Sequence, residues 1–234
     1  MEQKHLTSKQ RQVLTLKEAQ GQLSVLALGI DDYDKYSGFT TLKTCSNDAI
    51  EVRNAFHDVW QLNADKDRVW ALTSKSNPPP SKGEIIKAIN RLISITEPNE
   101  RFLFYYSGHG HRIKNESGVE KFYIVPQDAY SDTDPDALID FDWILDLLNK
   151  SEAKQRIVVI DACMSGPDVT MEKLLPAKYS SKFLAEYMQN TKGIAVISSS
   201  MADQASTTQS PNPKVSLLYL LFHQGSTRRT SCIR

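Results

Sequence analysis

Arg156-Ile-Val-Val-Ile-Asp161, followed at once by Ala162-Cys163-Met164-Ser165-Gly166, is the stretch on which the fold turns. Four β-branched aliphatic residues in a row leave no polar face, as a strand buried on both sides requires. Three segments upstream share this texture. Leu23-Ser-Val-Leu-Ala-Leu-Gly-Ile30 is almost continuously apolar, Asp67-Arg-Val-Trp-Ala-Leu-Thr73 ends before Pro78-Pro79-Pro80, and Arg101-Phe-Leu-Phe-Tyr-Tyr106 is expected to break at Ser107-Gly108-His109-Gly110. Gly193 to Ser199 reads as a last strand, and Lys121 to Val125 as a further strand or half of a hairpin. Between these runs the apolar spacing becomes helical. Ala49, Val52, Phe56, Val59 and Trp60 mark one helix. Ile85, Ile86, Ile89, Leu92 and Ile93 mark a second, opened by Ser81 and Glu84 at capping-box spacing. Phe141 to Asn149 and Val215 to Phe222 supply two more, and a linker with a helix fills about 167–192. Strands alternating with helices predict an α/β fold, with a mostly parallel sheet and helices on both faces.

The 234 residues suit one large domain with a sizeable core. Lys and Arg number 28 against 28 Asp and Glu, so the electrostatic footprint of a nucleic-acid binder is missing. No apolar run approaches the ~20 residues that span a bilayer, which gives no membrane partner. The first residues are charged and polar without a signal-peptide core, so a cytoplasmic location is expected. Three cysteines make no disulfide framework. The chain divides into a polar arm at 1–22, one domain at 23–224 and a basic, disordered tail at 225–234.

In a doubly wound sheet, reactive groups collect beyond the carboxyl ends of the strands. One such end delivers His109 between two glycines; another delivers Cys163 just after Asp161. A thiol becomes a thiolate near neutral pH with help from a neighbouring imidazole. The flanking glycines would let the backbone approach a substrate and aim an amide at a developing oxyanion. Each residue alone has a plain alternative, a structural His in a loop and a small core Cys. His111 is the local rival to His109 but lacks glycine on both sides; His5, His57 and His223 have no comparable setting.

Tyr105-Tyr-Ser-Gly-His-Gly110 and Asp161-Ala-Cys-Met-Ser-Gly166 resemble the paired His and Cys motifs of caspase-like cysteine peptidases, closest to the metacaspase and bacterial caspase-like branch. The resemblance extends to Leu26–Asp31, Leu42–Ala49, Ile124–Asp128 and Ile197–Ser200, in order over about residues 23–222. His109 precedes Cys163 by 54 residues, close to the separation of about 50 in caspases. The family implies a caspase-like three-layer sandwich and peptide-bond hydrolysis through an acyl-enzyme. Cys163 would be the nucleophile and His109 the base and then the acid, with the Gly110 and Cys163 amides as oxyanion hole. No carboxylate third member is required.

The family pattern also places Asp161, Asp48, Ser107 and Cys45 in a substrate-binding pocket whose two carboxylates would favour Arg or Lys before the scissile bond. Asp48 could equally be a helix N-cap, and Asp31 a rim acid or a plain loop residue. No cofactor is required. The calcium site of many relatives uses clustered aspartates; here Asp140-Phe141-Asp142 breaks the adjacent pair and Thr170 replaces an acid. Asp140, Asp142 and Asp168 could still gather a weak calcium site, and the reading is against an absolute requirement. Met164 replaces a usual His without touching the mechanism. The chain stops soon after a basic tail that is unlike the family's continuation. Lys173, Lys178, Lys182 and Lys192 offer self-cleavage sites in the linker, or a solvated helix face. The expected partners are a peptide or protein substrate and a separately encoded activator. A non-catalytic caspase-like scaffold is the rival reading. A nucleotide-binding domain is a distant third, because no Gly-x-Gly-x-x-Gly or Gly-Lys-Ser/Thr loop is present.

Overall fold

The computed structural model describes residues 23–58, 68–114, 118, 120–164 and 194–198. In chain order these form β1 (Leu23–Gly29), α1 (Cys45–Asp58), β2 (Val69–Thr73), α2 (Lys82–Ser94), β3 (Arg101–Lys114), β4 (Glu120–Ile124), β5 (Ile139–Asp140), α3 (Phe141–Asn149), β6 (Gln155–Met164) and β7 (Ile194–Ser198). The described strands make one mixed sheet. Its parallel part runs β2-β1-β3-β6-β7, and β4 and β5 extend it antiparallel. Residues 101–107 of β3 pair with β1 on one edge and β6 on the other. Gly110 pairs with both Met164 of β6 and Ile124 of β4, so β4 takes over the edge that β1 leaves.

Because side chains alternate along a strand, the apolar runs feed two cores. Leu26, Leu28, Phe102, Phe104, Tyr106, Val158 and Ile160 pack with Ile85, Ile89 and Leu92 of α2 and with Ile144, Leu145 and Leu148 of α3. Val25, Ala27, Leu103, Tyr105 and Val159 pack with Ala49 and Val52 of α1. Helices therefore cover both faces of the sheet, the α/β sandwich that the sequence predicts. Each large aliphatic or aromatic side chain so buried contributes about 1.5–3 kcal/mol.

The helices begin where short polar side chains take over unpaired amides. Ser81 Oγ accepts from the Glu84 amide at the start of α2, and Asp140 Oδ1 accepts from the Asp142 amide at 2.9 Å at the start of α3. The buried stripe of α2 is Ile85, Ala88, Ile89 and Leu92, leaving Ile86 and Ile93 only partly covered. No helix among the described residues is long and apolar enough to cross a membrane.

Two strands run further than their sequences predict. β3 continues through Ser107-Gly108-His109-Gly110 to Lys114, and β6 passes Asp161 to Met164. Glycine weakens a strand, but here each residue of that stretch has a strand beside it: 107–110 are paired by 161–164 on one edge, and 110–114 by 120–124 on the other. Lys121–Val125 is accordingly the second half of a hairpin. The arm at 1–22, Val59 and Trp60, the 167–192 linker, the 215–222 helix and the tail at 225–234 lie outside the described residues.

Candidate active site

The carboxyl ends of β1 and β6 lie beside the middle of β3. Gly29 stands opposite Ser107, Ser107 opposite Asp161, and two residues further His109 opposite Cys163. Parallel pairing thus sets the two strand ends singled out in the sequence in direct register. His111 pairs instead with Tyr123 of β4.

His109 is 4% exposed. Its Nε2 lies 2.7 Å from the Thr40 carbonyl oxygen. A carbonyl can only accept, so Nε2 carries the proton and Nδ1 holds the basic lone pair. The rings of Tyr33 and Phe39 flank the imidazole with centroids at 4.8 and 5.6 Å. Burial pushes the imidazole below its ordinary range; the Thr40 carbonyl opposes that shift and His111 adds to it.

The packing around His109 itself requires the two glycines beside it. A Cβ on Gly108 would fall 2.5 Å from Tyr106 Oη and 3.0 Å from Tyr33 Oη. One on Gly110 would fall 2.5 Å from Phe122 Cε2. They make room for the protein's own rings.

Next to this pair is a group of acids. Asp48, fully buried, lies in the first turn of α1 and its Oδ2 accepts from Ser107 Oγ at 3.4 Å. It is not the N-cap, since its own amide already donates to the Thr44 carbonyl. That service falls to Asp31, both of whose carboxylate oxygens accept from the Ser46 amide at 3.2 Å. Asp161 is 7% exposed, and its Oδ2 has no hydrogen-bond partner among the described residues. Cys45 opens α1, buried, and burial pushes its thiol well above the ordinary range, with Asp31, Asp48 and Asp161 adding to the effect. The structure thus brings Cys45, Asp48, Ser107 and Asp161 to one place, with Asp31 behind them.

Of the suggested calcium ligands, Asp140 is engaged within the protein. Asp140 gives one oxygen to the Asp142 amide and the other to Lys121 Nζ. Asp168 lies outside the described residues. No three His, Cys, Asp or Glu side chains among the described residues are grouped to hold a metal. What the sequence reading missed is the segment between β1 and α1, which brings Tyr33, Phe39 and the Thr40 carbonyl to His109. A backbone carbonyl has no side-chain signature, so Thr40 offered no signal; Tyr33 and Phe39 offered only aromatic residues in a loop.

A family model described as the metacaspase, peptidase C14 domain matches residues 25–172. The chain belongs to the metacaspases. This is a family of cysteine peptidases, and the match spans both the His109 and the Cys163 strand ends. Among curated proteins, the chain is 26% identical to Metacaspase-1 of Pyricularia oryzae over 169 residues, 69% of this chain and 40% of that one. It is 29% identical to Metacaspase-1 of Botryotinia fuckeliana over 103 residues, 43% of this chain and 24% of the relative. A probable protease of a Desulfuromonadales bacterium is 26% identical over 174 residues, 66% of this chain and 20% of that one. The metacaspase chain therefore spans less than half the length of these relatives. A crystal structure of a Geobacter sulfurreducens protein shares the fold, with a TM-score of 0.62 and 19% identity over 89% of this chain and 83% of that one.

Proposed function

We propose that the chain is a cysteine endopeptidase cutting after Arg or Lys, with Cys163 as nucleophile and His109 as its base. The observation that carries this reading is the register of His109 opposite Cys163, where the carboxyl end of β6 runs beside the middle of β3. With Nε2 held by Thr40, Nδ1 takes the thiol proton. The thiolate attacks the scissile carbonyl, and the resulting oxyanion lies against the amides of Gly110 and Cys163. Nδ1–H then protonates the departing amine, and water hydrolyses the thioester to the acid and the free thiol. No metal or cofactor enters this sequence of steps, and calcium is not required.

The preference for a basic side chain rests on the buried acids. Asp161 and Asp48 approach from a strand and a helix, and Ser107 stands between them. An Arg or Lys side chain would supply the donors that Asp161 Oδ2 lacks. An enzyme of this preference would also cut itself in the linker at Lys173, Lys178 or Lys182.

The test is turnover of matched fluorogenic peptides ending in Arg, Lys or Asp by wild type and Cys163→Ala, with calcium and with chelator. Arg or Lys turnover, lost in the variant and equal in both buffers, is expected. Turnover of the Asp peptide alone would overturn the pocket; silence of wild type and variant alike would overturn the peptidase. Self-cleavage persisting within 167–192 after joint replacement of the three lysines would remove the self-processing step.

A further inference from the structure

The sheet leaves a gap at His109. On one edge of β3, pairing with β1 stops at Ser107 and pairing with β4 starts at Gly110. The His109 carbonyl is reached from β4, accepting from the Val125 amide at 3.2 Å, and also from Tyr106 Oη at 2.7 Å. The His109 amide has no strand opposite it. Tyr33 Oη fills the vacancy: it accepts from that amide at 2.9 Å and donates to the Ile30 carbonyl at 3.1 Å. One side-chain hydroxyl therefore replaces the missing rung and ties the exit of β1 to the middle of β3. Burial holds this phenol well above its ordinary range, so it stays protonated and able to donate.

The same residue touches the imidazole. The Tyr33 ring is tilted 46° to it at 4.8 Å between centroids, on the segment that also carries the Thr40 carbonyl. That contact restricts the plane the imidazole can take. Gly108 is needed for this approach, since a Cβ there would press on both tyrosine hydroxyls.

We propose that Tyr33 is a positioning residue for His109, its hydroxyl fixing the backbone that carries the imidazole and its ring fixing the imidazole plane. This rests on the reading of His109 as the base. A misplaced base loses turnover rather than substrate affinity.

The experiment compares Tyr33→Phe, which keeps the ring, with Tyr33→Leu, which keeps neither group. Kinetics on the Arg peptide are paired with NMR titration of the ring-labelled histidines in the full chain, the His109 signal being assigned with His109→Gln. Tyr33→Phe is expected to lower kcat by ~10–100-fold with KM within about twofold. Tyr33→Leu is expected to lower it further and to move the His109 titration, while the His111 signal, from an imidazole that acts on His109, is followed alongside it. Wild-type kcat in Tyr33→Phe, or an unmoved His109 titration in Tyr33→Leu, would overturn the proposal. A silent wild type would sink the peptidase reading alone, and the titration would still decide whether Tyr33 governs the imidazole.

Discussion

Asp161 keeps one carboxylate oxygen away from water with no donor among the described residues. Such a group costs about 1–3 kcal/mol, and more when charged, until something answers it. A folded protein gains by losing it, whereas the cationic substrate proposed above would need it. Asp161→Asn should therefore lower kcat/KM for the Arg peptide by about 30–1000-fold while leaving the thermal midpoint level or higher. Kinetics and a melting curve on the same preparation check both signs. His109 makes a different demand. Burial depresses its pKa below the ordinary value, so between the two values the unfolded chain binds more protons than the folded one. The stability this contributes is complete above about pH 6.5 and is lost as pH falls toward the folded value. Urea midpoints at pH 7.5 and pH 5 should drop more for wild type than for His109→Gln.

At the scale of elements, Asp140 shows how one side chain can settle competing readings. It caps α3 through Oδ1 and meets Lys121 through Oδ2, so its oxygens serve the helix and the hairpin. Asp140→Ala should cost about 1 kcal/mol, mostly from the cap since the lysine is partly exposed, and read as a lower urea midpoint at unchanged slope. If Asp140 served calcium instead, calcium would raise the melting temperature of wild type and not of the variant. The Ser81 cap and the apolar runs of β1, β3 and β6 could be read directly, because their signals are local. The continuation of β3 through Ser107-Gly108-His109-Gly110 could not. It depends on partners at 120–124 and 161–164, and glycine reads locally as punctuation whatever lies across from it. Asp48 was ambiguous for a related reason: a carboxylate near a helix start has the same sequence context as a cap or as a pocket wall. The Thr44 bond to its amide excludes the cap.

At the scale of the whole molecule, the described residues separate along the strand direction. The candidate site residues gather where β1 and β6 end beside the middle of β3, whereas the amino ends of β2 and β3 are tied by Arg68 and Glu100. Arg68 Nη1 reaches Glu100 Oε2 at 2.6 Å, and the same oxygen accepts from the Glu97 amide. Glu100→Gln should cost about 1–3 kcal/mol in urea titration, with kcat on the Arg peptide unchanged, because nothing in that network touches the opposite end.

Cys45 closes the account from the chemist's bench. Sealed between α1 and the sheet, with a thiol that resists ionisation, it is invisible to a haloacetamide until that helix lifts. With Cys163 and Cys232 replaced, each molecule would carry one such hidden sulfur. The rate at which it is trapped then becomes a stopwatch, counting how often the wall of the pocket swings away from its floor.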